Sequence, residues 1–101
     1  MKYKESETIE LKKSTSESKE AVISISAILN KHSCGEVYFG IKNDGSIIGQ
    51  EVGNKTLRDV SRVISENIEP KIYPKIQQLR INNKTCIKVN FQGKNLPYFA
   101  F

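Results

Sequence analysis

Tryptophan is absent from these 101 residues, methionine and histidine occur once each, and cysteine occurs twice. Each scarcity removes a class of explanation. Cys34 and Cys86 form neither a Cys-x-x-Cys pair nor a disulfide framework, so both read as reduced thiols. His32 stands close to Cys34, but no second pair completes a zinc site and Cys86 alone cannot supply it. No apolar run approaches the roughly 18 residues of a membrane span, and no signal-like apolar segment follows the amino terminus. The expected partners therefore exclude a membrane, and the expected compartment is the cytoplasm. Ser14, Ser16 and Lys19 lack the companion motifs of a Ser-x-x-Lys hydrolase, and the glycines are not spaced as a phosphate-binding or dinucleotide loop.

Acid charge is missing from the last third. Residues 71–101 carry Lys71, Lys75, Arg80, Lys84, Lys88 and Lys94 with no Asp or Glu, whereas residues 1–20 balance five Lys against five Glu; the whole chain is at +5. A field of one sign attracts phosphate backbones and makes binding steeply salt-dependent. Those six cations are the candidate nucleic-acid contacts, Arg80 foremost because its planar fork matches phosphate geometry. Tyr73, Phe91 and Tyr98 are interleaved with them, and any exposed ring could stack on an unpaired base. Phe91, alternating with Ile87 and Val89, reads instead as core. The same charges also suit the solvated face of a protein-interaction domain or homodimer. No helix reads as a basic recognition helix.

What is present fits one domain spanning 1–101, with a single modest core. Thr8 to Lys12 reads as a short strand with Ile9 and Leu11 on one face and Glu10 and Lys12 on the other. Ser14 and Glu17 have capping-box spacing ahead of a helix, apolar nearly all round from Ala21 to Leu29. Val37, Phe39 and Ile41 then share one strand face, and Asn43-Asp44-Gly45 is a hairpin turn back to Ile47-Ile48-Gly49. A second helix begins at Asn54 as cap, carries the stripe Leu57, Val60, Val63, Ile64 and Ile68, and ends before Pro70. Ile76 to Ile81 and Thr85 to Phe91 form a second hairpin through Asn82-Asn83-Lys84. Leu96 to Phe101 opens a further strand, which reads as the edge of an amino-terminal fragment of a longer protein.

Glu5, Glu10 and Asp44 are the one acidic set worth weighing for Mg²⁺ or Mn²⁺, which a nuclease needs beside the scissile phosphate. Ion pairing with Lys12 and Lys42 explains the same acids without chemistry.

Glu5-Ser6, Glu10-Leu11-Lys12, Ala27 to Asn30, Gly35, Gly40-Ile41, Asp44-Gly45 and Gly49 occur in an order that resembles the Schlafen AlbA_2 family, also described as the divergent AAA-4 domain. The resemblance implies an α+β domain with a mixed β-sheet and two main helices, fused to further domains in transcriptional regulators and binding DNA; no cofactor is expected, with Mg²⁺ or Mn²⁺ as the alternative for a nuclease. Some eukaryotic Schlafen members cleave structured RNA with three acids. The resemblance puts the first two on Glu5 and Glu10 and the third on Asp44. The chain departs from the family where Cys34 replaces the first glycine of a Gly-Gly pair and where it stops before a closing segment containing Arg and Gly.

Overall fold

The computed structural model describes residues 3–101. Ile87, Val89 and Phe91 alternate along β5 (Lys84–Gln92) and set one apolar face of the sheet. β5 pairs antiparallel with β4 (Lys75–Ile81) through a two-residue turn in which Asn82 and Asn83 have φ of 50° and 63°. Asparagine tolerates that left-handed geometry, and two positive φ values match the twist of a tight hairpin. On its other side β5 pairs antiparallel with β2 (Cys34–Phe39), which pairs parallel with β1 (Ile9–Lys12). The mixed sheet therefore runs β1-β2-β5-β4. The expected hairpin after β2 shrinks to one bridge between Ile41 and Ile47, and β2 finds its antiparallel partner in β5 instead.

Two helices cover the Ile87 face. A single 3₁₀ turn, Thr15–Glu17, leads into α1 (Ser18–His32). The Ser14 hydroxyl accepts from Ser16 N–H at 3.2 Å while Glu17 Oε1 accepts from Lys13 N–H at 2.9 Å. This is the reciprocal logic of a capping box, displaced by one residue at each bond. α2 (Asn54–Asn67) is capped at Gly53 rather than Asn54: the Thr56 hydroxyl accepts from Gly53 N–H at 3.1 Å. Val22, Ile25 and Leu29 of α1 and Val60 and Ile64 of α2 pack with Val37, Phe39, Ile87, Val89 and Phe91. The circumference of α1 is not closed, however, since Ile23 is 62 % exposed.

A second apolar cluster lies on the opposite face: Leu11, Tyr38, Ile41 and Cys86, flanked by Tyr3, Ile9, Leu79 and Ile81. Ile41 belongs here and not with Val37 and Phe39, because Gly40 adopts φ 102° and breaks the alternation. The N–H groups of Gly40 and Ile41 both donate to the Lys12 carbonyl, at 2.8 and 3.1 Å. Two residues opposing one is the signature of a bulge, and it turns the next side chain over.

The remaining strands, β3 (Ile68–Glu69) and β6 (Phe99–Ala100), form a separate antiparallel pair, with β6 against α1. Between α2 and β4, Ile72 is buried in the core at 4 % exposure and pins an otherwise extended connection.

Candidate nucleic-acid interface

Alternation along β4 and β5 distributes the six cations. Lys75 lies opposite Asn90, Gln77 opposite Lys88 and Ile81 opposite Lys84, so Lys75, Lys84 and Lys88 share the face that the helices leave open. Lys88 is already engaged there. Its ammonium is 3.4 Å from Glu36 Oε2 and 5.7 Å from the centre of the Tyr38 ring, and the Tyr38 hydroxyl donates to Glu36 Oε1 at 3.0 Å. Burial, followed by that hydrogen bond to a carboxylate, pushes the Tyr38 phenol above its ordinary range. The other three cations lie elsewhere. Arg80 projects to the helix side of β4 and donates to the Asn83 carbonyl at 3.1 Å. Lys71 donates to the Ser65 carbonyl near the end of α2 at 3.0 Å, and Lys94 is exposed between β5 and β6.

Where β2 and β4 begin and β5 ends, a groove of about 600 Å³ opens. Cys34, Glu36, Tyr73, Lys75, Asn90 and Gln92 line it. Of the three aromatics that the sequence interleaves with cations, Phe91 and Tyr98 are each 3 % exposed, whereas Tyr73 is 86 % exposed. Gly35 lies in the groove wall, where a Cβ would come within 2.7 Å of the Thr8 carbonyl and 2.8 Å of both Ile28 and Phe91. Backbone thus takes the place of a side chain between the sheet end and α1. Cys34, Glu36, Asn90 and Gln92 escaped sequence reasoning because the groove assembles from strands far apart in the chain. The pairings Glu36↔Asn90 and Cys34↔Gln92 bring them together.

The acidic set is divided. Glu5 and Glu10 converge: Glu5 Oε2 accepts from Leu11 N–H at 3.1 Å, and the Glu5 carboxyl lies near enough to act on that of Glu10. Burial, then the hydrogen bonding and charge of Glu5, hold Glu10 above the ordinary carboxylate range, against the pull of Lys12 at 3.6 Å. Asp44 sits at the tip of the Asn43–Gly45 turn, exposed, accepting from Ser46 N–H at 2.8 Å, and that bonding with Ser46 lowers its pKa. It shares a hollow with Tyr3, Lys4 and Asn43. Among the described residues no three His, Cys, Asp or Glu side chains gather as a metal site. The two glutamates offer oxygen donors of the kind Mg²⁺ or Mn²⁺ takes, but in this arrangement they hold each other. His32 faces Glu7, with Nε2 3.4 Å from Oε1, and not Cys34.

Residues 5–100 match the protein family described as Schlafen, AlbA_2. The fold is similar to that of the DIP2311 protein from Corynebacterium diphtheriae, with a TM-score of 0.75 at 15 % identity over 97 % of this chain and 20 % of that one. It is also similar to the N-terminal domain of a protein from Nitrosomonas europaea described as related to the ATP-dependent DNA helicase RecG. There the TM-score is 0.62 at 19 % identity, over 94 % of this chain and 76 % of that one. At these identities the likeness is one of fold. The chain spans a fifth of the length of the first structure. No curated protein matches it. Among the described residues, no helix is long and apolar enough to cross a membrane.

Proposed function

The chain belongs to the Schlafen AlbA_2 family, whose domains are associated with nucleic-acid interactions, and from that premise we propose that it is a DNA-binding module of a transcriptional regulator. The observation that carries the reading is the groove, in which an open aromatic, Tyr73, stands beside an exposed lysine, Lys75, in a stretch of chain with no acid. Phosphate contacts fall to Lys75 first, with Lys84, Lys71, Arg80 and Lys94 around the sheet and its ends as a longer-range attractive field. Lys88 is engaged by Glu36 and holds that carboxylate in place at the groove. A structural neighbour described as related to a DNA helicase supports DNA as the ligand.

Fluorescence anisotropy with labelled duplex DNA, single-stranded DNA and hairpin RNA across a salt series tests this. Binding that weakens steeply with salt and leaves the probes intact is the expected result. No binding to any probe at low salt overturns it and leaves the basic surface as solvated area of a protein-interaction domain.

The paired carboxyls favour a second reading, a metal-dependent ribonuclease using Glu5, Glu10 and Asp44. It requires Asp44 to join the pair when Mg²⁺ or Mn²⁺ binds. Metal-dependent cleavage of hairpin RNA, lost in Glu10→Ala, is its test; intact RNA at saturating Mn²⁺ overturns it.

A further inference from the structure

We propose that the groove at the end of the sheet receives the base of an unpaired nucleotide, stacked on Tyr73 and contacted at its edge by Asn90 and Gln92, so that the module prefers single strands to duplex. The proposal rests on the nucleic-acid reading above and adds the class of nucleic acid.

Tyr73 is the starting point. An aromatic ring 86 % exposed leaves most of its apolar area in water unless something covers it. Its backbone is nevertheless held, because the preceding residue, Ile72, is buried in the core and the following one, Pro74, has a fixed φ and leads directly into β4. A ring presented by an anchored backbone loses little further freedom when a flat partner stacks on it.

The opposite wall supplies the polar half of a base site. Asn90 and Gln92 alternate to the open face of β5, in register with Glu36 and Cys34 of β2, and Asn90 is also in register with Lys75 of β4. Neither amide has a hydrogen-bond partner among the described residues, and each carries a carbonyl acceptor and two N–H donors, the combination that base edges require. The Glu36 carboxylate, fixed by Lys88 and Tyr38, adds an acceptor for base amino or imino hydrogens and a negative charge that discourages phosphate. The two signs therefore sort the nucleotide: phosphate toward exposed Lys75, base inward toward Glu36, Asn90 and Tyr73.

A duplex cannot use this arrangement. Its base faces are occupied by stacking and its Watson–Crick edges by pairing, so the Tyr73 ring meets only a groove or a backbone. An unpaired strand offers one free π-face per base.

The test compares four labelled probes of equal length by anisotropy at fixed salt: single-stranded DNA, single-stranded RNA, duplex DNA, and a single strand in which abasic sites replace the bases. The expected result is tight binding of one or both single strands, and roughly 5- to 150-fold weaker binding of the abasic strand, the range for loss of one base–aromatic stack. Tyr73→Ala is expected to lose a similar factor on single strands and none on duplex, while Tyr73→Phe keeps the affinity. Whichever sugar binds better names the strand. An abasic strand that binds as tightly as its parent, or a Tyr73→Ala protein that matches wild type on every probe, overturns the base slot while leaving phosphate-driven binding standing. Failure of all four probes, duplex included, overturns both.

Discussion

The Asn30 side-chain amide closes a two-way hydrogen bond on the backbone of Tyr98: Nδ2 donates to the carbonyl at 2.9 Å and Oδ1 accepts from the N–H at 2.7 Å. One side chain near the end of α1 thereby satisfies both polar groups of a residue 68 positions away. The Tyr98 ring is buried, and its hydroxyl accepts from Asn95 N–H at 3.1 Å, so the clamp and the ring together hold the segment that continues into β6. Substituting Asn30 by Ala leaves both backbone groups without their partner. Asn30→Asp keeps the acceptor but turns a carboxylate oxygen toward the Tyr98 carbonyl. Each is expected to cost about 1–3 kcal/mol in urea unfolding, the range for a partly buried polar group left unpaired. Unchanged unfolding midpoints in both variants would mean that the clamp contributes nothing to stability.

Lys75 and Lys88 share a sheet face yet differ in what they are free to do. Lys75 is exposed, whereas Lys88 is held between Glu36 and Tyr38. If nucleic acid binds at the groove, Lys75→Ala is expected to reduce the slope of log affinity against log salt by about 0.7–0.9, one phosphate contact, without changing stability. Lys88→Ala should act in the opposite sense: little change in the number of phosphates held, but a lower melting temperature from a part-buried Glu36 that has lost its cation. Equal salt slopes for the two variants would remove the distinction.

The two thiols give a chemical probe of the same groove. Cys34 is exposed and lines it, while Cys86 is fully buried, with Sγ 3.7 Å from the Gly40 carbonyl, and burial pushes its thiol pKa up. Thiolate is the reactive form, so iodoacetamide at mild alkaline pH is expected to modify Cys34 and spare Cys86 until the protein unfolds. Bound single-stranded oligonucleotide should slow the Cys34 reaction. Mass spectrometry of the alkylated peptides reads both effects, and rapid modification of Cys86 in the native protein would contradict the packing of the second cluster.

Local signals in the sequence carry as far as local physics reaches. The α2 stripe from Leu57 to Ile64, the Asn82-Asn83 turn and the alternation of Ile87, Val89 and Phe91 are each decided within a few residues, and the fold honours them, while Ile68, expected on the same stripe, lies in β3. Ile41 is lost from the expected face because one glycine, Gly40, takes a positive φ that its neighbours do not signal. The helix cap moves from Asn54 to Gly53 because the Thr56 hydroxyl reaches back to the Gly53 N–H. Long-range pairing is where the reading stops. Nothing near Glu36 announces that Asn90 lies opposite it, and nothing near Asn30 announces Tyr98, so the groove and the clamp become visible only once β2 has chosen β5 over its own sequence neighbour. The six cations were legible as a charge excess, but their division among two sheet faces, a turn and a helix end depends on the register.

Glu5 and Glu10 leave the most demanding prediction. Burial and the neighbouring Glu5 raise the Glu10 pKa in the folded protein above its unfolded value. Its contribution to stability is therefore fully present below the unfolded pKa, near about 4.3, and is lost as pH rises through the folded value. At neutral pH two carboxyls are held together at a cost, offset in part by Lys12 at 3.6 Å, a contact worth at most about 1 kcal/mol on the scale of surface pairs. Glu10→Gln removes the charge and keeps the shape. Its melting temperature is expected to exceed wild type at pH 7 and to converge with it below about pH 4. A divalent cation reverses the sign of the same interaction, because two like charges that repel each other both attract a metal. Melting curves at pH 7 with and without Mn²⁺ therefore separate the two proposed functions. A rise for wild type that Glu10→Gln does not share supports the metal-dependent reading, and identical curves with and without Mn²⁺ leave the pair as a local cost of folding beside a nucleic-acid groove.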